Sequence, residues 1–304
     1  MPAAEPPCAL RSLAEDEPLA GTASRIRRWL MIEKPGPWGH DALLGSELDR
    51  ETGRRLRAFG ERHRVRVLLV KRRDRPREGP RRCFAAFTGP REHRLVALEA
   101  ARPEDLLELD LAGLADRGWR GLGEPLEAPL FVVCTHGKHD PCCAREGLPV
   151  ARALAGRPDV WEATHVGGDR FAGNIVAFPH GLYFGRVTPA TAPGVVESYA
   201  AGRIDLERYR GRAGHPPAVQ AAERFLRERE GLAGVDDLAL VRHERAGDRH
   251  SVTLRAADAT FEVEVAEGSR DARPLTCKAT HPHRPRSFQV SGGEARSTNR
   301  PSGS

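Results

Sequence analysis

Apolar positions along this chain come in short runs, divided by loops carrying Pro and Gly. Residues 25–33 (RIRRWLMIE) and 65–70 (VRVLLV) read as strands. The loop KPGPWG at 34–39 separates the first strand from a helical stretch at 47–60, since two prolines forbid regular pairing there. Residues 83–88 and 94–98 flank Gly89-Pro90 as a hairpin, and PEDLLELDLAG (103–113) opens with Pro and acids as a helix does. The same order then recurs. A strand at 130–133 leads into a Cys- and Pro-containing loop, a helix at 143–155 and a strand at 160–164. A hairpin of 175–178 and 182–187 turns at Pro179-His180-Gly181, and a helix follows at 193–202.

This repeat is one of element order, with minimal identity between its two copies. It predicts an α/β protein of two thioredoxin-like halves, each a mixed sheet flanked by helices. Residues 1–24 are expected to form an irregular leader, 25–125 a first half without a site, and 126–214 a second half that holds one. Residues 215–290 differ. A helix near 217–230 precedes period-two runs at 251–254, 260–265 and 275–278, the pattern of a small α+β domain with an antiparallel sheet. A Gly/Ser/Arg-rich disordered tail is expected from 291.

Composition adds charge asymmetry. The net charge is +6, and residues 62–82 hold ten Lys/Arg against Asp74 and Glu78. No nucleic-acid module accompanies this cluster, so nucleic acid is not the expected partner. It reads as a solvated basic loop, or as a docking segment for an acidic redox partner protein. No apolar run approaches the ~18 residues of a membrane span, and no basic-then-apolar leader is present. The expected setting is soluble, reducing and cytoplasmic.

Six cysteines stand at 8, 83, 134, 142, 143 and 277. Three within ten residues is not the spacing of a disulfide framework and points to metal or thiol chemistry. Cys134 leaves the end of an apolar strand, Cys142 and Cys143 sit where a helix starts, and His165 leaves the end of the next strand before Gly167-Gly168-Asp169. Parallel strands ending in ligand-bearing loops bring such residues to one sheet edge. Thiolate and imidazole are donors to zinc and to iron–sulfur groups alike, and the residues do not separate the two. Gly167 and Gly168 are expected to let the backbone approach a cofactor closely. His136, Lys138 and Arg170 are expected near it as polar or positive groups, and His139 as a solvent-facing loop residue. Cys277, with His281 and His283, reads as a strand cysteine beside an exposed turn. Cys83 reads as a buried strand residue and Cys8 as an exposed leader thiol. No Walker loop, G-x-G-x-x-G, G-x-S-x-G, H-E-x-x-H or C-x-x-C occurs.

The segments GTASRIRRWLMIEKPGPWGHDAL (21–43), CTHGKHDPCC (134–143), THVGGDRFAGN (164–174) and PHGLYFGRV (179–187) resemble the sucrase/ferredoxin-like family, specifically its bacterial members with a C-terminal extension. The resemblance implies a thioredoxin-like ferredoxin fold. It also implies a 2Fe–2S cluster held by two Cys and by two His in an H-x-G-G-H pattern. Carried over, the ligands are Cys134, Cys143 and His165. The second His position holds Asp169, so the fourth ligand is Asp169, or Cys142 in its place, or the cluster is lost; these are taken in that order. The expected function is therefore 2Fe–2S electron transfer. A thioredoxin-type thiol enzyme and a zinc-stabilised interaction module are the alternatives. Sucrose hydrolysis needs two carboxylates across a sugar pocket, and no motif places them.

Overall fold

The structure is a computed structural model and describes residues 6–72, 74, 80–115, 122–257 and 259–297. In chain order the elements are α1 (Cys8–Ala14), β1 (Arg28–Glu33), α2 (Ala42–Gly45), α3 (Arg50–His63), β2 (Val65–Lys71), β3 (Arg81–Thr88) and β4 (His93–Ala100). There follow β5 (Glu124–Pro125), β6 (Leu130–Cys134), α4 (Pro141–Ala153), β7 (Val160–Ala163), β8 (Ile175–Phe178), β9 (Leu182–Phe184), α5 (Ala192–Ala200) and β10 (Tyr209–Arg212). The last are α6 (Pro217–Glu230), β11 (Ala239–Ala246), β12 (Arg249–Ala256), β13 (Ala259–Ser269) and β14 (Arg286–Ser297).

The first ten strands form one mixed sheet in the order β10-β9-β8-β6-β7-β2-β1-β3-β4-β5. Its two parts have the same internal order. β1 runs parallel to β2 and antiparallel to β3, which pairs with β4. Likewise β6 runs parallel to β7 and antiparallel to β8, which pairs with β9. Where two separate sheets were expected, the copies fuse: β2 and β7 pair antiparallel through Val70↔Ala163 and Lys71↔Glu162.

Fusion explains why the strand runs are almost continuously apolar, for both faces are covered. Alternate residues of β1 divide, Trp29 and Met31 to one face, Leu30 and Ile32 to the other with Leu56 and Phe59 of α3. β6 divides likewise, with Leu130, Val132 and Cys134 joining Trp29 and Met31, and Phe131 and Val133 packing with Val195 and Val196 of α5. One core thus spans both copies, and Trp29 meets Phe178 edge-on at 5.1 Å.

A separate four-stranded antiparallel sheet, β11-β12-β13-β14, packs its Val252, Leu254, Phe261 and Val263 against Ala218, Ala222 and Leu226 of α6. The i, i+4 spacing on the helix meets the period of two on the strands.

Several expectations are corrected. Residues 103–113 form two short 3₁₀ turns, Pro103–Glu108 and Gly113–Ala115, not a helix. Residues 275–278 are a turn region rather than a strand, and β14 runs to Ser297 through the start of the expected tail. The leader carries a helix, α1. Within the basic segment 62–82, Val65–Lys71 is a central sheet strand, Lys71 caps the Trp38 ring at 4.2 Å, and residues 73 and 75–79 lie outside the described residues. Among the described residues no helix is long and apolar enough to cross a membrane.

Candidate metal centre

β6 and β7 are parallel neighbours in register, with Cys134 opposite Ala163, so both deliver their following loops to one end of the sheet. After β6 the chain turns sharply through 135–140. Asp140 caps α4 by accepting the Cys142 N–H at 2.8 Å, and Pro141 occupies the first turn. The helix crosses the strand end closely. A Cβ at Gly147 would stand 2.0 Å from the Cys134 carbonyl oxygen, so only glycine permits this approach. That crossing sets Cys143 over Cys134.

The Sγ atoms of Cys134 and Cys143 and a ring nitrogen of His165 all lie within 4.8 Å of one another. Both thiols are 1% exposed. His165 Nδ1 stands 3.9 Å from the Cys143 sulfur and 2.9 Å from Asp169 Oδ1, and the Cys143 thiol donates to that same oxygen at 3.0 Å. The His165 side chain is 21% exposed against 3% for Asp169, so the imidazole marks the solvent side.

Each group's ionisation follows from these contacts. The Cys134 thiol is driven well below its ordinary range, first by the hydrogen bond from Cys143 and then by His165, against the opposing effect of burial. Cys143 is driven up by the same bond, by burial and by the charges of Cys134 and Asp169. Burial disfavours a charged His165, yet Asp169 and Cys134 outweigh it and lift the imidazole to about 9. Burial likewise opposes the Asp169 carboxylate, and His165 overcomes it and lowers its pKa. These contacts favour the charged forms of Cys134, His165 and Asp169 and the neutral form of Cys143. A thiophilic cation binds thiolate and neutral imidazole, so metal binding at these donors would release protons.

His139 reads in the sequence as more a solvent-facing loop residue than a neighbour of the site. Its ring stacks on His165 at 3.9 Å between centroids, with His136 next at 5.7 Å. It is a site neighbour, not a solvent-facing loop residue. His136 is buried and held by the Gly39 carbonyl at 2.7 Å. Lys138 is exposed.

Gly167 and Gly168 are required by the backbone conformation of this loop. Both have positive φ, and a Cβ on Gly168 would meet the Arg210 guanidinium at 2.3 Å. Arg170 turns away to Glu17 at 2.9 Å. Cys142 is not brought to this site: its sulfur lies with those of Cys8 and Cys277. Cys8 is buried, contrary to expectation, and Cys277 sits in a turn rather than a strand. Cys83 is buried in β3 as expected.

Residues 19–211 match the family described as sucrase/ferredoxin-like. The chain belongs to the sucrase/ferredoxin-like family. The matched span contains Cys134, Cys143, His165 and Asp169, while α1, α6 and the four-stranded sheet lie outside it.

Curated relatives of this family member include altered inheritance of mitochondria protein 32 of Eremothecium gossypii, 29% identical over 106 residues, which are 29% of this chain and 34% of the relative. The same-named protein of Clavispora lusitaniae is 34% identical over 98 residues, 29% of this chain and 36% of the relative. That of Meyerozyma guilliermondii is 32% identical over 95 residues, 27% of this chain and 34% of the relative. The chain spans about a third of the length of the curated relatives it matches. No solved structure matches it significantly. These findings correct the expectation of a 2Fe–2S electron-transfer protein. The relatives are named for the inheritance of mitochondria, and neither that name nor the family description provides evidence of electron transfer through such a cluster.

Proposed function

We propose that this family member is a metal-binding protein whose centre is held by Cys134, Cys143 and His165, with Asp169 as the fourth donor. The observation that carries this reading is the convergence of three soft or borderline donors, from three separate segments, within 4.8 Å at the carboxyl ends of β6 and β7. Asp169 touches two of them, at 2.9 and 3.0 Å. The burial of both cysteines keeps the site dry, and the partly exposed His165–His139 edge is the side from which a partner or small ligand reaches it. The repeated order β2-β1-β3-β4 and β7-β6-β8-β9 supports reading each copy as thioredoxin-like.

Two occupants suit these donors, a zinc ion and a 2Fe–2S group, and they differ in colour. The test is metal and sulfide analysis of the full chain purified without oxygen, with its visible spectrum. The expected result is a thiophilic metal retained by the wild-type chain and lost from this centre in Cys134→Ser and His165→Ala. Metal-free protein in which native-state alkylation labels Cys134 and Cys143 regardless of added zinc or iron would refute the reading.

A further inference from the structure

Cys142, the chain neighbour of Cys143, belongs to a second group of thiols, drawn from segments far apart in the chain. Cys8 opens α1, Cys142 is the second residue of α4, and Cys277 lies in the long connection between β13 and β14. Their sulfurs form a nearly equilateral triangle, with Cys8–Cys142 at 3.6 Å, Cys142–Cys277 at 3.4 Å and Cys277–Cys8 at 3.5 Å. All three are free thiols.

A disulfide needs sulfurs about 2.05 Å apart, so no pair here is bonded. Tetrahedral zinc with bonds of about 2.3 Å to sulfur holds its thiolates about 3.8 Å apart, a few tenths of an ångström wider than this triangle. Clusters of several irons place thiolates on different irons and so hold them further apart. The triangle therefore suits a single ion.

Asp140 stands beside the triangle. Its carboxylate oxygens lie 3.8 and 3.9 Å from the Cys8 sulfur, and its donor atom is within 4.8 Å of all three thiols. It also organises the others by accepting the Cys142 N–H at 2.8 Å and the Cys277 N–H at 2.7 Å. Asp140 and Cys142 are completely buried and Cys8 nearly so. The Arg145 guanidinium, 3.5 Å from the Cys142 sulfur, and the Cys8 N–H, 3.3 Å from the Cys277 sulfur, offset the negative charge that three thiolates would bring.

We propose that Cys8, Cys142, Cys277 and Asp140 form a second, structural zinc site that ties the N-terminal helix and the β13–β14 connection to the start of α4. Two of its thiols lie outside the family-matched span. The site explains how residues 270–285, which carry no helix or strand beyond the bridge Arg273↔His283, are held to α1 and the start of α4. It joins the Arg273 pairs with Glu15 and Glu17, and it is distinct from the first centre in every ligand.

The test is cobalt titration of the full chain in a Cys134→Ser, His165→Ala background that disables the first centre. One equivalent of cobalt is expected to remain bound, with the intense near-ultraviolet thiolate band and visible bands of a tetrahedral three-sulfur site. Adding Cys8→Ser or Cys277→Ser abolishes that equivalent. In the wild-type chain, which avoids any folding defect, zinc is expected to slow alkylation of Cys8, Cys142 and Cys277 at least tenfold relative to chelator-treated protein. Failure of the first centre alone would leave these results intact. Cobalt bands unchanged by Cys8→Ser and Cys277→Ser, alkylation indifferent to zinc, or a disulfide among the three thiols in zinc-loaded protein would each overturn the proposal.

Discussion

Glu223 of α6 is 1% exposed and sits between three basic side chains. Arg212 Nε donates to its Oε1 at 2.9 Å, Arg227 Nε to the same oxygen at 3.0 Å, and His215 Nδ1 lies 3.0 Å from Oε2. Arg212 belongs to β10 at the edge of the large sheet and Arg227 to α6, so this carboxylate fastens the C-terminal unit to the rest. Glu223→Ala leaves two buried guanidiniums without their counter-charge. Removing one partner of a buried ion pair costs about 3–5 kcal/mol. Arg227 keeps carbonyl acceptors at Leu232, Gly234 and Val235, and Arg212 keeps Val235, which places the expected loss at the lower end of that range. With a urea slope of about 3 kcal/mol/M for a chain of this size, a loss of about 3 kcal/mol moves the midpoint down by about 1 M. Circular dichroism reads the whole chain. Tryptophan fluorescence reads the large sheet, because no tryptophan lies beyond Trp161. The sign with pH is also set. Burial opposes the charged form, but the two arginines and His215 hold the Glu223 carboxyl well below its ordinary value. Its stabilisation is complete above the unfolded-state pKa of about 4.5 and disappears as pH falls through the lower folded value. The gap between wild type and variant therefore narrows between pH 7 and pH 3. A midpoint shift under about 0.3 M at pH 7, or a gap that widens in acid, would refute the reasoning.

Further predictions concern the loop before Asp169 and the charge of His165. Gly168→Ala combines φ of +82° with a Cβ 2.3 Å from Arg210 Nη2. It is expected to cost about 2–4 kcal/mol in urea unfolding, from left-handed strain of about 1–2 kcal/mol plus disturbed charged hydrogen bonds. Gly156→Ala, at φ +85° with nothing within 4 Å of the new Cβ, is expected to show the strain alone, and equal losses at the two sites would contradict the packing argument. In metal-free protein the His165 imidazole is expected to titrate near 9 by nuclear magnetic resonance, and Asp169→Asn to lower it. Because the folded pKa is raised, its stabilisation is full below the unfolded value of about 6.5 and is lost as pH rises through about 9. A titration unmoved by Asp169→Asn would show that the 2.9 Å contact does not hold the charge.

Much of this protein is determined locally and was legible in its residues. The apolar runs locate β1, β2, β6, β7 and β8 because a strand buried on both faces is mostly apolar on both. Cys134, Cys143 and His165 could be grouped because each lies at or just beyond a strand end or at a helix start, and parallel strands carry their following loops to the same end of the sheet. What lies beyond local pattern was decided by tertiary structure. Periodicity reports that a position is buried, not what buries it. Thus β2 and β7, paired through two residue pairs and joined beside them by Thr164, whose N–H donates to the Leu69 carbonyl and whose hydroxyl accepts the Leu69 N–H, merge two expected sheets with no apolar pattern to announce it. The stacking of His139 on His165 depends on how sharply 135–140 turns, and the meeting of Cys8 with Cys142 and Cys277 depends on closing loops of 134 and 135 residues in sequence separation. Glu223 divides the same way: its pair with Arg227, four residues on in α6, is legible in the helix, while Arg212 and His215 arrive from β10 and the turn before α6.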